Sequence, residues 1–228
     1  MLIGGFQKTS LIDFPKKIAA IVFTQGCNFR CHYCHNPELV TECNKIADEK
    51  LILDFLDTRK GKLDGVVITG GEPSLQKDLT DFIFKVKEKG FEVKLDTNGS
   101  NPDVIVDLTE KNLLDYIAMD IKAPLSKYQD IVDCAVDVLQ IKDSVDFIKN
   151  CGVDYEFRTT TVKPLLAVSD FDEIGNIIKK SKRYFLQNFV LSKILDKNFI
   201  EAEPFAENET SSAVEILKKY NIGEIKTR

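Results

Sequence analysis

Three cysteines fall within eight residues of one another in the stretch GCNFRCHYCHN: Cys27, Cys31 and Cys34, spaced C-x3-C-x2-C. Both histidines of the chain, His32 and His35, lie in the same stretch. Thiolates are soft donors that suit an iron–sulfur cluster and zinc alike. Three of them on a short loop can hold three corners of a four-iron cluster and leave the fourth iron open to another ligand. With His32 or His35 as a fourth donor they would instead complete a tetrahedral zinc site, although a single tight loop departs from the usual pair-plus-distant-pair spacing of zinc ligands. A disulfide, or no ligand at all, is also compatible with a cysteine cluster taken alone. Cys43, nine residues beyond Cys34, is a further donor or simply a cysteine of the following loop. Gly26 and Asn28 suit a loop that must bend closely around a bulky inorganic core.

Composition narrows the choice. A chain of 228 residues, 43% hydrophobic, can build a substantial core without disulfide staples, so its six cysteines fit a reducing compartment with a metal or redox site. Cys134 and Cys151 are isolated and read as small buried hydrophobes. Acidic residues outnumber basic ones 36 to 31, which argues against a broad nucleic-acid surface. No apolar run reaches the length of a membrane span. The opening MLIGGFQKTS has no basic region followed by a long apolar run, so the expectation is a soluble cytoplasmic protein with neither membrane nor nucleic acid as partner.

Further polar groups punctuate the ends of apolar runs. GGEP, at Gly70, Gly71, Glu72 and Pro73, follows GVVIT directly. A double glycine there lets a ligand approach the main chain, and Glu72 offers an anionic acceptor suited to an ammonium group. The bland reading is a tight turn with a solvent-facing acid. It is no phosphate loop, because neither glycine-rich phosphate pattern is present. DTNG, starting at Asp96, has the composition of an Asx turn. DIKAP puts Asp120 and Lys122 two apart, hence on one side of an extended strand; the alternative for each is a structural salt link at a rim. Arg158 and Gln187 are polar residues near the ends of two later apolar runs.

The elements that must position these groups alternate in type. IAAIVFT, GVVITG, FEVKLDT, YIAMDIK, DYEFRTTTV and RYFLQNFV read as six strands. Between or after them, helical spacing of apolar residues predicts helices over residues 47–59, 79–89, 144–150, 171–180 and 212–219, with a short helix or turn near 104–114 and a loop and a helix in residues 125–139. Strands alternating with helices mean repeated βαβ units and a largely parallel sheet. In a barrel all strand C-termini converge on one mouth, whereas an open sheet would scatter them. Polar groups spread evenly over the ends of all six strands therefore favour a partial (β/α)6 TIM-like barrel, a single domain over residues 1–228 with the cysteine loop at 25–36.

C-x3-C-x2-C after the first strand and GGEP after the second, in that order, resemble the radical S-adenosylmethionine enzymes. The longer stretches GGFQKTSLIDFPKKIAAIVFTQGCNFRCHYCHNPELV, TGGEPSLQ, LDTNGSNP and DIKAP are similar to the activating enzymes of glycyl-radical enzymes. The nearest branch is the activating protein of anaerobic ribonucleoside-triphosphate reductase. FRTTTVKP and LQNF add a weaker likeness.

The resemblance implies that Cys27, Cys31 and Cys34 hold one [4Fe-4S] cluster whose open iron chelates S-adenosylmethionine. It places Tyr33 near the adenine, and Gly70, Gly71 and Glu72 at the methionine amino group. Asp96, Thr97 and Asn98 would line the cofactor pocket. Asp120 and Lys122 would face cofactor and substrate peptide as the catalytic pair, and the acidic segments frame a monovalent cation in the pyruvate formate-lyase branch. Arg158 and Gln187 would reach the methionine or adenosine portion. The implied reaction is reductive cleavage of S-adenosylmethionine, fed by a flavodoxin- or ferredoxin-type donor, and hydrogen abstraction from a glycine of a partner enzyme. A radical enzyme acting on a small molecule such as a deazapurine precursor, or a non-catalytic zinc or iron–sulfur binding protein, is the alternative. No inserted cysteine sets follow the motif, so a single cluster is expected.

Overall fold

The computed structural model describes residues 1–41 and 47–228; Cys43 lies outside the described residues. Eight strands form one sheet in the order β1 (Ile3–Phe14), β2 (Lys17–Thr24), β3 (Gly65–Gly70), β4 (Glu92–Thr97), β5 (Tyr116–Asp120), β6 (Asp154–Thr161), β7 (Arg183–Asn188), β8 (Glu224–Thr227). That order never reverses. A doubly wound sheet has a switch point where it does, so the topology is that of a singly wound, partial TIM-like barrel with a mostly parallel sheet. β2–β3, β3–β4, β6–β7 and β7–β8 pair in parallel, while β1 runs antiparallel to β2.

The six expected strands are all present, and β1 and β8 are additions. β1, IGGFQKTSLIDF, has no clean alternation and is interrupted by three register shifts against β2, so period-two reading passes over it. β8 has only four residues. Helices α1 (Pro37–Thr41), α2 (Glu49–Asp57), α3 (Leu79–Glu88), α4 (Pro102–Glu110), α5 (Tyr128–Val132), α6 (Val138–Asn150), α7 (Asp170–Ile177) and α8 (Glu207–Leu217) fill the connections. α6 starts six residues before its expected bound, because Asp137 caps it by accepting the Leu139 N–H at 3.0 Å.

The chain divides into two compact units. The first comprises Met1–Asn28, Glu38–Thr97 and Asn101–Ile117. Its core sets Val66, Val67, Ile68, Val93 and Leu95 of β3 and β4 with Ile52 and Leu56 of α2 and Phe82, Ile83 and Val86 of α3, all essentially buried. Those apolar positions recur at helical spacing on α2 and α3, which is why one face of each helix is dry. The second unit comprises Phe29–Pro37, Asn98–Ser100 and Ala118–Arg228. Ile141, Val145 and Ile148 of α6, Phe171 and Ile174 of α7, Ala213 and Leu217 of α8, and Tyr155, Phe157, Tyr184 and Leu186 of β6 and β7 are buried there.

Helix α3 carries its own control. Phe82 is fully buried and Phe84, two residues on, is 52% exposed. Phe82→Ala should cost about 3–5 kcal/mol, whereas Phe84→Ala should stay within about 0.5 kcal/mol. Urea unfolding followed by far-ultraviolet dichroism measures both; similar losses for the two would contradict the assignment of the core face.

Candidate functional site

In the first unit the polar groups gather where β2, β3 and β4 end. After Thr24 the chain turns through Gln25 and Gly26, the latter at φ +93°. Gln25 is buried and fixed from several sides: its amide donates to Glu38 O at 2.6 Å, and its carbonyl accepts from Gln76 Nε2 at 2.8 Å. Gly26 donates its N–H to Leu39 O at 2.7 Å. The turn after β3 packs directly on this one. Gly71 N–H donates to Thr24 O at 2.9 Å and Glu72 N–H to Gly26 O at 2.8 Å. A Cβ on Gly71 would lie 2.6 Å from Gly26 C, and one on Gly70, whose φ is +119°, 2.5 Å from Thr24 O. The double glycine thus admits the neighbouring main chain, a more specific demand than the ligand approach read from sequence.

Glu72 is fully buried, so the solvent-facing reading does not hold. Its Oε1 accepts from Ser74 N–H at 3.1 Å, capping the turn Pro73–Leu75, and from Thr97 Oγ1 at 2.7 Å. Thr97, at the end of β4, is buried with it. Asp96 is ion-paired with Lys94, which is only 2% exposed. Lys94 was missed by sequence reading; its signal was a lysine inside the otherwise apolar FEVKLD run, two residues from an acid and on the same face of the strand.

In the second unit, Asn98 forms the expected Asx turn, its Oδ1 accepting Ser100 N–H at 2.9 Å. Gly99 O accepts from buried Ser144 Oγ of α6 at 2.7 Å. Asp120 closes β5 and binds two cations, Lys122 Nζ at 2.8 Å and Arg158 Nε at 2.7 Å. Main-chain pairing continues past β5 and holds the three in place: Ile121 N–H donates to Arg158 O at 2.8 Å, and Thr159 Oγ1 to Ile121 O at 2.7 Å. Burial opposes ionisation of Asp120, yet Arg158 and Lys122 together hold its carboxyl well below the usual range. Burial likewise works against the Lys122 ammonium, but Asp120 outweighs it and pushes Lys122 well above its ordinary value. Both remain charged across neutral pH. Gln187 of β7 pairs in register with Thr160, as Phe185 does with Arg158, so Gln187 and Arg158 share one half-buried face of the β6–β7 pair.

The cysteine motif crosses from one unit to the other, with Cys27 in the first and Cys31 and Cys34 in the second. Cys31 is buried, and Cys34 N–H donates to its carbonyl at 2.9 Å, a tight turn. Among the described residues, no three His, Cys, Asp or Glu side chains are gathered into a group that could hold a metal ion. Thiols are weak donors and weak acceptors, so nothing in their own chemistry draws three sulfurs together. Tyr33 is 5% exposed and its buried hydroxyl has no hydrogen-bond partner. Burial, with Cys31 and Asp120 adding to it and Lys122 opposing, drives that phenol well above its ordinary value. Tyr128, also missed by sequence reading, lies buried beside it and accepts Lys122 N–H at 3.3 Å.

Residues 21–183 match the radical SAM superfamily. The chain belongs to that superfamily. A Methanocaldococcus jannaschii protein provisionally named a glycyl-radical enzyme activating enzyme is 38% identical over 224 residues, spanning 96% of this chain and 92% of the relative. The pyruvate formate-lyase-activating enzyme of Clostridium pasteurianum is 34% identical over 191 residues, 78% of this chain and 76% of its own. Within the superfamily, then, the chain falls in the family of glycyl-radical enzyme activating enzymes. Among solved structures, Streptococcus suis SuiB superposes with a TM-score of 0.69 at 13% identity, over 91% of this chain and 48% of SuiB, so the chain spans about half of that protein. Methylornithine synthase (PylB) gives 0.63 at 12% identity, over 91% of this chain and 70% of its own. These two likenesses concern the fold alone.

Two substitutions test the polar groups as described. Thr97→Val removes a hydroxyl from a buried carboxylate and should cost about 1–3 kcal/mol, with Thr97→Ser recovering most of it. Asp120→Asn leaves two cations on a neutral amide and should cost roughly 2–3 kcal/mol, the low side for a broken buried pair because the partners retain some solvent contact. The sign with pH follows from the lowered Asp120 value: the wild-type advantage is full above the ordinary carboxylate range and shrinks as pH falls through it and below. Urea midpoints from pH 7 down to pH 3 should show a constant gap between the proteins that begins to narrow only at the acid end.

Proposed function

We propose that this chain is a glycyl-radical activase, and that its partner is an anaerobic ribonucleotide reductase. The observation that carries the activase reading is the extent of the similarity to the Methanocaldococcus relative. Identity of 38% across 92% of that protein reaches well outside residues 21–183, the part common to the superfamily. The reductase is the finer step and is supported by the sequence likeness of LDTNGSNP, DIKAP and FRTTTVKP to that branch.

The donor set fits a [4Fe-4S] cluster held by Cys27, Cys31 and Cys34. Three soft sulfur donors stand on one short loop, and the one buried tyrosine among them has a hydroxyl with its hydrogen-bonding capacity unspent. When bound, such a cluster supplies the electron that splits the sulfonium of S-adenosylmethionine, and the resulting nucleoside removes the glycine hydrogen. The protein's part is binding and orientation. Glu72, already accepting from Thr97 and Ser74, offers carboxylate oxygens toward an ammonium group such as that of methionine. The trio of Asp120, Lys122 and Arg158 contains two cations and one anion and so favours an anionic group, of which the methionine carboxylate is the matching one. Asn98 and Gln187 present amides suited to ribose and adenine edges. Lys122, held charged by Asp120, would fix the carboxylate rather than carry a proton. A flavodoxin- or ferredoxin-type protein would deliver the electron. No helix among the described residues is long and apolar enough to cross a membrane.

Anaerobic reconstitution tests this reading. Wild-type protein should take up about four iron and four sulfide per chain, cleave S-adenosylmethionine under reduction, and produce a glycyl-radical resonance on mixing with an anaerobic ribonucleotide reductase. Cys31→Ala should lose both cluster and cleavage. Lys122→Ala should keep the cluster and lose affinity for S-adenosylmethionine. One tightly held zinc with no cleavage would favour a binding protein instead, and cleavage with no radical on any glycyl-radical partner would favour small-molecule chemistry.

A further inference from the structure

Both histidines of the chain adjoin a cysteine of the motif, and both reach the same segment, residues 189–199. All of these residues belong to the second unit. His32 Nδ1 lies 2.9 Å from Asp196 Oδ2, and its carbonyl accepts Asp196 N–H at 3.1 Å. The His32 ring stacks on Phe199 with centroids 4.5 Å apart and planes at 24°. His32 Nε2 lies 3.1 Å from Asp130 O, so both ring nitrogens face oxygen acceptors and neither is left for a metal. Asp196 is itself fixed, accepting Asn198 N–H at 2.9 Å to cap the turn Lys197–Phe199. His35 stacks on buried Phe189, with centroids 5.4 Å apart and planes at 24°.

Between these anchors the segment has no helix or strand, and Val190 and Leu191 point outward at 67% and 53% exposure. A stretch with so little core of its own depends on anchors to hold its path, and two imidazoles are among them. The coupling runs both ways, because the same imidazoles stand directly beside Cys31 and Cys34.

We propose that His32 and His35 are positioning residues that latch residues 189–199 onto the cysteine loop and thereby fix the main-chain path that presents Cys31 and Cys34 to metal. This rests on the cluster assignment above, and the histidines act as supports of ligand-bearing backbone, a role whose loss ordinarily costs tenfold or more in metal retention.

Hydrogen exchange on metal-free protein tests the latch without any cluster. In His32→Ala and His35→Ala, amides of residues 189–199 should exchange about tenfold faster than in wild type, the equivalent of one lost hydrogen bond. His35→Phe, which keeps the stack, should stay near wild type. In reconstituted protein, a chelator should bleach the cluster of either alanine variant about tenfold faster, with His35→Phe again restoring the slow rate. Matching far-ultraviolet dichroism would show that each variant is folded. Unchanged exchange in both folded alanine variants overturns the latch, and unchanged bleaching in both overturns its bearing on the metal. A wild type that takes up no iron overturns the cluster assignment and with it the metal half of the proposal, while the exchange arm still decides the latch itself.

Discussion

The polar chemistry of the first unit depends on how closely two main chains approach beyond the ends of β2 and β3. Gly71 and Glu72 donate to Thr24 O and Gly26 O, and no side chain fits in the gap. That contact fixes where Glu72 enters the interior and keeps its carboxylate within reach of Thr97. A buried carboxylate is tolerable only where donors meet it, and the donors come from the turn that the glycines permit. The segment that carries Cys27 starts from the same turn, so the geometry of the acid and the start of the cysteine loop are set together.

The second unit solves a different electrostatic problem. One carboxylate, Asp120, serves two cations, and main-chain pairing between Ile121 and Arg158 keeps all three at the end of the β5–β6 step. Charges in this number and arrangement are uneconomical as pure scaffolding, since an apolar replacement of a buried ion pair is often neutral or stabilising.

Much of this was legible in the residues. Six of eight strands, the sequential winding, the Asx turn at Asn98 and the pairing of Asp120 with Lys122 follow from period, turn chemistry and the placement of charge at strand ends. What escaped was what depends on neighbours far apart in the chain. β1 lacks alternation because it pairs on one side only and with broken register. Lys94 looks like an ordinary polar strand residue until its burial beside Asp96 is seen. The reason for Gly70 and Gly71 was read as room for a ligand, whereas the room is taken by the backbone of Thr24 and Gly26. The attachment of His32 to Asp196, across 164 positions, has no local signal at all.

β1 ends the strand order, and an outermost strand is a standing invitation to other chains. Its middle, Gln7, Lys8 and Thr9, is exposed, and its register against β2 slips three times. An ammonium side chain in the centre of a crooked ribbon makes a poor template for an incoming strand. The same irregularity that hid β1 from the alternation test therefore acts as insulation for the stretch of the strand where Leu11 and Ile12 face solvent, near the hairpin turn.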